Sequence, residues 1–238
     1  MTAEIVFRDD MSVELVSSMA HDYRVADAAR ISTATWHGMT GHHDREKDAG
    51  LIGYLMKNRH ATPFEHNVFT FRVECPIFVA REFMRHRLAS YNEESARYKQ
   101  LKGVFWVPAP ARGLVQEGKP GHYIMKPGTK FQYDFAVDSL QQTAGFCYAR
   151  YTEMLDAGIC REVARAALPV AVYTSFYVTV NARSLMNFLS LRIDDPDNTF
   201  TTKPQYEIEQ AALAMQDHFS RAMPLTFTAW ENNGRIAP

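Results

Sequence analysis

The sequence predicts a mixed α+β fold, in which a mixed sheet packs with helices, from three observations. Phe69, Phe71 and Val73 alternate with Thr70, Arg72 and Glu74, which puts the apolar set on one face of a half-buried strand. Residues 170–180, VAVYTSFYVTV, are rich in β-branched and aromatic side chains, the composition of a second strand. Elsewhere apolar residues recur at three- and four-residue intervals, the period of a helix. Strands and helices do not alternate regularly, so a layered α+β arrangement is expected instead of a doubly wound parallel sheet.

Taken in order, the first strand should end at Pro76. Ile77, Ala80, Met84 and Leu88 then predict a helix running into Arg85-His86-Arg87. Ser90-Tyr91-Asn92 has turn chemistry, with loop or short strand expected as far as Tyr98. Residues 103–128 are dense in Gly and Pro, Pro120 and Gly121 among them, and predict an ordered surface excursion suited to a lid or an oligomer arm. Helical spacing resumes over 131–155, with Gly158 as a stop, and 161–169 should form a short helix ended by Pro169. Over 181–192, Leu185, Met186, Leu189 and Ile193 share one helical face while Asn181, Asn187 and Arg192 lie off it, as in the wall of a pocket. Residues 194–204 have loop composition, and a long helix over 205–222 follows. There is no internal repeat, low-complexity tract or heptad run.

At 238 residues, 46% hydrophobic and 22% charged, the chain suits one sizeable core, and a single domain over 1–238 is expected. The net charge of −1 provides no bulk positive field for nucleic acid or an anionic membrane, so any phosphate recognition must be local. Cys75, Cys147 and Cys160 have neither CxxC spacing nor an even count, which fits reduced thiols. With acids near the N-terminus and no long apolar run, a soluble, cytoplasmic protein is expected.

The densest chemistry lies between Arg85 and Tyr98, RHRLASYNEESARY. Arg85, Arg87 and Arg97 offer planar donor forks beside hydroxyls and amides, a composition for a phosphorylated ligand. The pattern alone also allows a solvated basic helix end. In His60–His66, HATPFEH, the two histidines do not share a helical face. Neither they nor His42-His43-Asp44 have metal-ligand spacing, so no metal is expected, and Thr62-Pro63 should turn His60 and Glu65 into a cleft. Asn181, Arg183 and Asn187 either line a pocket or merely cap and decorate a helix. GxGxxG, GxxxxGK[ST] and GxSxG are all absent, which argues against a Rossmann site, a P-loop and a hydrolase nucleophile at Ser95.

Arg85-His86-Arg87 followed by seven residues and Ser95 resembles the signature of the flavin-dependent thymidylate synthase (ThyX) family. HATPFEH, PIFVAREFMRHR, SYNEESARY, REVARAALP and NARSLMNFLSLR resemble further family blocks in the family's order. The resemblance implies the ThyX-type α+β fold, a homotetramer with active sites where subunits meet, and reductive methylation of dUMP to dTMP. FAD would be the redox cofactor, 5,10-methylenetetrahydrofolate the carbon donor and NADPH the hydride source.

Carried over residue by residue, the dUMP set is Glu82, Arg85, Glu93, Glu94, Ser95, Ala96, Arg97, Arg165 and Arg192. The FAD set is Ser32, Thr62, Glu65, Arg85, His86, Arg87, Asn92, Glu93, Asn181, Arg183 and Asn187, with His60 near flavin and folate. Arg192 would be the catalytic residue, favouring loss of the uracil N3 proton, with no enzyme nucleophile. Glu82 stands where many members have glutamine, an acid that repels a phosphate unless it faces the uracil or an arginine. Pro196 stands where some members place a histidine, so that contact is not carried over. The alternative reading is a non-catalytic nucleotide- or RNA-binding module built on Arg85 to Arg97, with Tyr91 and Tyr98 as stacking partners.

Overall fold

The computed structural model describes residues 4–32, 43–119 and 122–238. In chain order its elements are β1 (Ile5–Arg8), β2 (Ser12–Ser18), α1 (Asp22–Arg30), α2 (Arg45–Lys57), α3 (Thr62–Glu65) and β3 (Val68–Pro76). Then come α4 (Ile77–Phe83), β4 (Ala89–Glu93), β5 (Gly103–Trp106), β6 (Val115–Lys119), β7 (His122–Lys126) and α5 (Lys130–Asp156). The chain closes with α6 (Arg161–Ala164), β8 (Tyr173–Asn181), α7 (Ala182–Arg192), α8 (Tyr206–Ala222) and α9 (Pro224–Asn232). A four-stranded sheet runs in the order β2-β3-β8-β4, β1 pairs with β5, and β6 with β7, so the fold is mixed α+β. His42, Pro120 and Gly121, named above, lie outside the described residues.

The residues form two compact units. The first gathers described residues up to Ser12, Glu74–Arg85 and Asn92–Phe176. Its core is Leu101, Phe105, Ala144, Tyr148, Tyr151, Ala164 and Val172. Leu101 is held by two tyrosines of α5: its amide donates to Tyr151 Oη at 3.1 Å, and its carbonyl accepts from Tyr148 Oη at 3.2 Å. Buried backbone groups outside a ladder are thereby satisfied. β1 and β5 pair in parallel, Ile5 opposite Gly103 and Phe7 opposite Phe105. Helix α5 opens with a capping box in which Thr129 and Gln132 satisfy each other's backbone amides. Just beyond its end, Gly158 takes a left-handed φ of 79°.

The second unit gathers Val13–Val73, His86–Tyr91 and Tyr177–Pro238. Phe69, Phe71, Leu185, Phe219 and Trp230 are fully buried there, with Phe69 edge-on to Phe219 at 6.1 Å. Thr70 and Thr179 share a hydroxyl hydrogen bond of 3.0 Å between β3 and β8. Met223 gives α9 no side-chain cap. Asp22 supplies one from α1, accepting from the Leu225 amide at 2.9 Å, the Thr226 amide at 2.9 Å and Thr226 Oγ1 at 2.7 Å.

Three local expectations need correction. Helix α4 stops at Phe83, so Arg85 lies in the turn that follows it and His86-Arg87 in the link to β4, not in the last helical residues. Ser90-Tyr91-Asn92 is strand β4, because the sheet offers it a partner: the next amide, Glu94, donates to Ser175 O at 2.9 Å. The start of the Gly/Pro-rich excursion is core, with Phe105 buried in β5, while β6 and β7 form a largely exposed antiparallel hairpin.

Candidate active site

In the first unit, Glu82 lies half-buried on α4, and the Arg85 amide donates to its carbonyl at 3.3 Å. Arg85 is exposed. Asn92 and Glu93 end β4, and Glu93 Oε1 accepts from Thr174 Oγ1 at 2.6 Å. Glu94 pairs with Lys99. The Ser95 carbonyl accepts from the amides of Tyr98 at 3.0 Å and Lys99 at 3.1 Å, and its hydroxyl accepts from the Arg97 amide at 3.3 Å. Ser95 has no base to activate it among the described residues. Ala96 packs on the Leu101 cluster, which leaves its backbone as the contact it can offer.

Arg97 Nε lies 3.3 Å from Glu162 Oε1, both side chains about half exposed, an ion pair weak enough for a ligand anion to displace. Arg97, Tyr98, Cys160, Arg161 and Glu162 line a cleft of about 550 Å³. Arg165, just past α6, is exposed. Among the described residues neither Arg85 nor Arg165 makes an ion pair. Among the described residues the unit thus holds two guanidiniums without an ion pair and a third loosely paired, the residue type that binds phosphate through planar donor forks.

In the second unit, Arg192 closes α7 and donates through Nε to His86 Nε2 at 3.1 Å. The His86 ring meets Phe188 edge-on at 4.8 Å, and Tyr91 Oη donates to the His86 carbonyl at 3.1 Å. Burial, reinforced by the neighbouring Arg192 charge, lowers the His86 pKa from 6.5 to about 4. His86 is thus neutral near pH 7, with Nε2 as acceptor, so the triplet carries two cations and not three. Arg87 is exposed and makes no ion pair among the described residues.

Asn181 caps α7, its Oδ1 accepting from the Ser184 amide at 2.8 Å. Cap and pocket roles are compatible, because the amide nitrogen stays available. Arg183 Nη1 donates to Glu65 Oε1 at 2.9 Å and Nε to Pro238 O at 2.6 Å. Asn187 lies one turn after Arg183 on the same helix face and is exposed. Thr62 and Glu65 bound α3. His60 packs edge-on to Tyr54 at 5.7 Å, and exposed Ser32 donates to Ala29 O at 3.0 Å. Among the described residues no group of His, Cys, Asp or Glu is placed to hold a metal ion, and no helix is long and apolar enough to cross a membrane.

The two expected ligand sets sort by unit. Every dUMP candidate except Arg192 lies in the first unit, and every FAD candidate except Arg85, Asn92 and Glu93 in the second. Arginine forks, asparagine amides and hydroxyls suit the acceptor-rich phosphates and ring edges of a flavin dinucleotide, so the residues present fit that group. Sequence reasoning missed the partners that aim these groups: Thr174 for Glu93, Glu162 for Arg97, Phe188 for His86. Glu162 was the most accessible of them, standing within REVAR.

A sequence profile described as "Thymidylate synthase complementing protein" matches residues 14–225. The chain is 49% identical over 237 residues to the flavin-dependent thymidylate synthase of Streptomyces coelicolor, covering 99% of this chain and 96% of that protein. It is 46% identical over 233 residues to the one from Tropheryma whipplei, covering 98% and 97%. Among solved structures, the UMP/dUMP methylase PolB from Streptomyces cacaoi bound with 5-Br dUMP is 45% identical, with a TM-score of 0.93 over 98% of this chain and 100% of that one. The same protein bound with 5-Br UMP gives 44% and a TM-score of 0.91, over 98% and 99%. With its profile, relatives and fold in agreement, the chain belongs to the flavin-dependent thymidylate synthases, FAD-dependent methyltransferases of nucleotide biosynthesis.

Proposed function

We propose that this chain reductively methylates dUMP to dTMP as a single synthase domain over 1–238, with 5,10-methylenetetrahydrofolate as carbon donor and NADPH as reductant. The observation that carries this reading is Arg192, a guanidinium fixed by a neutral histidine at the end of α7. A cation held in place stabilises charge as it develops on a uracil losing its N3 proton, with no reorganisation at that moment. His86 orients it without adding a competing charge. FAD, when bound, supplies the redox chemistry.

Arg85, Arg97 and Arg165 hold the dUMP phosphate, Ser95 and the Ala96 backbone add hydrogen bonds, and Glu82, Glu93 and Glu94 complete the nucleotide contacts. Glu93 is oriented by Thr174. Ser32, Thr62, Glu65, Arg85, His86, Arg87, Asn92, Glu93, Asn181, Arg183 and Asn187 hold the flavin, and His60 lies toward the folate. The protein's share of the catalysis is placement of charge and exclusion of motion. The working form is a cytoplasmic homotetramer with active sites at subunit contacts.

The test is to purify the protein, record its visible spectrum, and follow NADPH oxidation with and without dUMP. A yellow protein whose oxidation responds to dUMP, and which forms dTMP when 5,10-methylenetetrahydrofolate is added, is expected. Because PolB is described as a UMP/dUMP methylase, UMP belongs in the same assay, with dUMP expected to be preferred. A colourless protein that does not take up FAD, and binds RNA with a steep salt dependence, would establish the binding-module alternative instead.

A further inference from the structure

We propose that Arg59 and the strap Gly234–Pro238 position Arg183, and thereby set the affinity of the flavin site. The proposal rests on the reading of Arg183 and Glu65 as flavin contacts. Among the described residues only two non-glycine residues have positive φ, Arg59 at 60° and Arg235 at 55°. Both belong to one hydrogen-bonded path that leads to Arg183.

Arg59 occupies the turn that ends α2, its amide donating to Met56 O at 3.3 Å and the His60 amide to Leu55 O at 2.9 Å. Glycine is the usual residue in such a left-handed turn, because a Cβ is disfavoured there. An arginine provides what glycine cannot: Nη1 donates to Ala237 O at 2.7 Å. At the other end of the path, Gly234 (φ 70°) and Arg235 turn the chain after α9. Arg235 is buried, paired with Asp195 at 3.1 Å and bonded to Gln216. The strap is fixed at Arg235 and at Ala237, and Ala237 and Pro238 are both buried.

Pro238 O accepts from Arg183 Nε at 2.6 Å, while Glu65 Oε1 accepts from Nη1 at 2.9 Å. Two acceptors on different edges fix the plane of the guanidinium. Its remaining N–H groups are left for a ligand, and a donor ordered before binding loses less entropy when the ligand arrives. Strained residues persist where their surroundings over-determine them, and here the two lie at the two anchors of one strap.

The test uses the full-length protein stripped of flavin, with FAD binding read by flavin fluorescence and folding by the melting temperature. Arg59→Gly relieves the left-handed strain, so its melting temperature should hold or rise. Its FAD Kd should nevertheless rise roughly three- to tenfold, the loss of one ordering hydrogen bond. Arg59→Lys, which keeps a donor, should bind FAD within about twofold of the native chain. An Arg59→Gly protein with native FAD affinity overturns the proposal. So does a melting temperature that falls in step with affinity in both variants, which would make Arg59 a structural residue only. Arg183→Ala separates the proposal from its premise: unchanged FAD affinity there removes Arg183 from the flavin site, whereas a loss there without one in Arg59→Gly removes only the strap.

Discussion

Arg192 Nε lies 3.1 Å from His86 Nε2, and the histidine accepts because burial and the facing cation keep it neutral. The cation gains in this way an orienting partner that adds no charge of its own. Replacing Arg192 by Ala should leave flavin bound while dTMP formation falls about a hundredfold or more, the usual cost of one positioned donor, ~3 kcal/mol. The His86 pKa should also climb back toward its ordinary range. Single-turnover kinetics and histidine NMR titration read the two effects, and near-native turnover would remove Arg192 from catalysis.

His86 also predicts a pH dependence of stability. Its folded pKa, about 4, is below the 6.5 of an exposed histidine, so between these values the unfolded chain binds the extra proton and the folded chain does not. Stability from this group is therefore present above about 6.5 and is lost as the pH falls toward 4. The native melting temperature should drop more steeply across that window than that of His86→Gln. Parallel curves would show that His86 titrates normally.

Arg97 and Glu162 should separate binding from pairing. Exposed ion pairs contribute about 0–1 kcal/mol, so Glu162→Gln should change the KM for dUMP by no more than about fivefold. Arg97→Ala should raise it about tenfold or more, with kcat little altered, as expected for lost phosphate binding. Equal effects on kcat would instead give Arg97 a part in the chemical step.

The proposed chemistry calls on no cysteine nucleophile, and Cys75 is the least suited to be one. Cys75 is buried and its thiol is pushed far above its ordinary pKa by desolvation, and the Glu93 charge adds to the effect. The variant Cys75→Ala, Cys147→Ser, Cys160→Ser should retain dUMP-dependent NADPH oxidation and dTMP formation. Abolished methylation in a folded triple variant would reinstate covalent catalysis.

Gly103 faces Tyr148 across the β1–β5 ribbon, and a Cβ there would lie 2.8 Å from Tyr148 Cε1 and 3.0 Å from Glu4 O. Gly103→Ala should destabilise the protein by about 1–3 kcal/mol, the usual cost of overpacking, measured by urea unfolding.

Where neighbours in sequence set the structure, the sequence was informative. Pro76 and Asn181 mark the starts of α4 and α7, and Gly158 lies just past α5, through local backbone geometry and, at Asn181, a side-chain cap. Strand β4 could not be read, because Ser90 and Asn92 favour turns and only the pairing sheet overrides them. Helix α9 was missed since its cap comes from Asp22, about two hundred residues earlier. The site shows the same division. Residue types and spacing gave the arginines and asparagines, but the neutral state of His86 depends on Phe188 and Arg192, roughly a hundred positions away, and burial cannot be read from a triplet.

The bond from Asp22 to the start of α9 also bears on how the protein is made. The amides of Leu225 and Thr226 leave the ribosome about two hundred residues after Asp22. The second unit cannot close until its Tyr177–Pro238 segment has been made, whereas most of the first is encoded in one stretch, Asn92–Phe176. Helices α1 and α2 must therefore wait, with the faces that α9 covers still open, for a segment made much later. Slow translation of α8 and α9 would prolong that exposure, and chaperone dependence should concentrate in this interval.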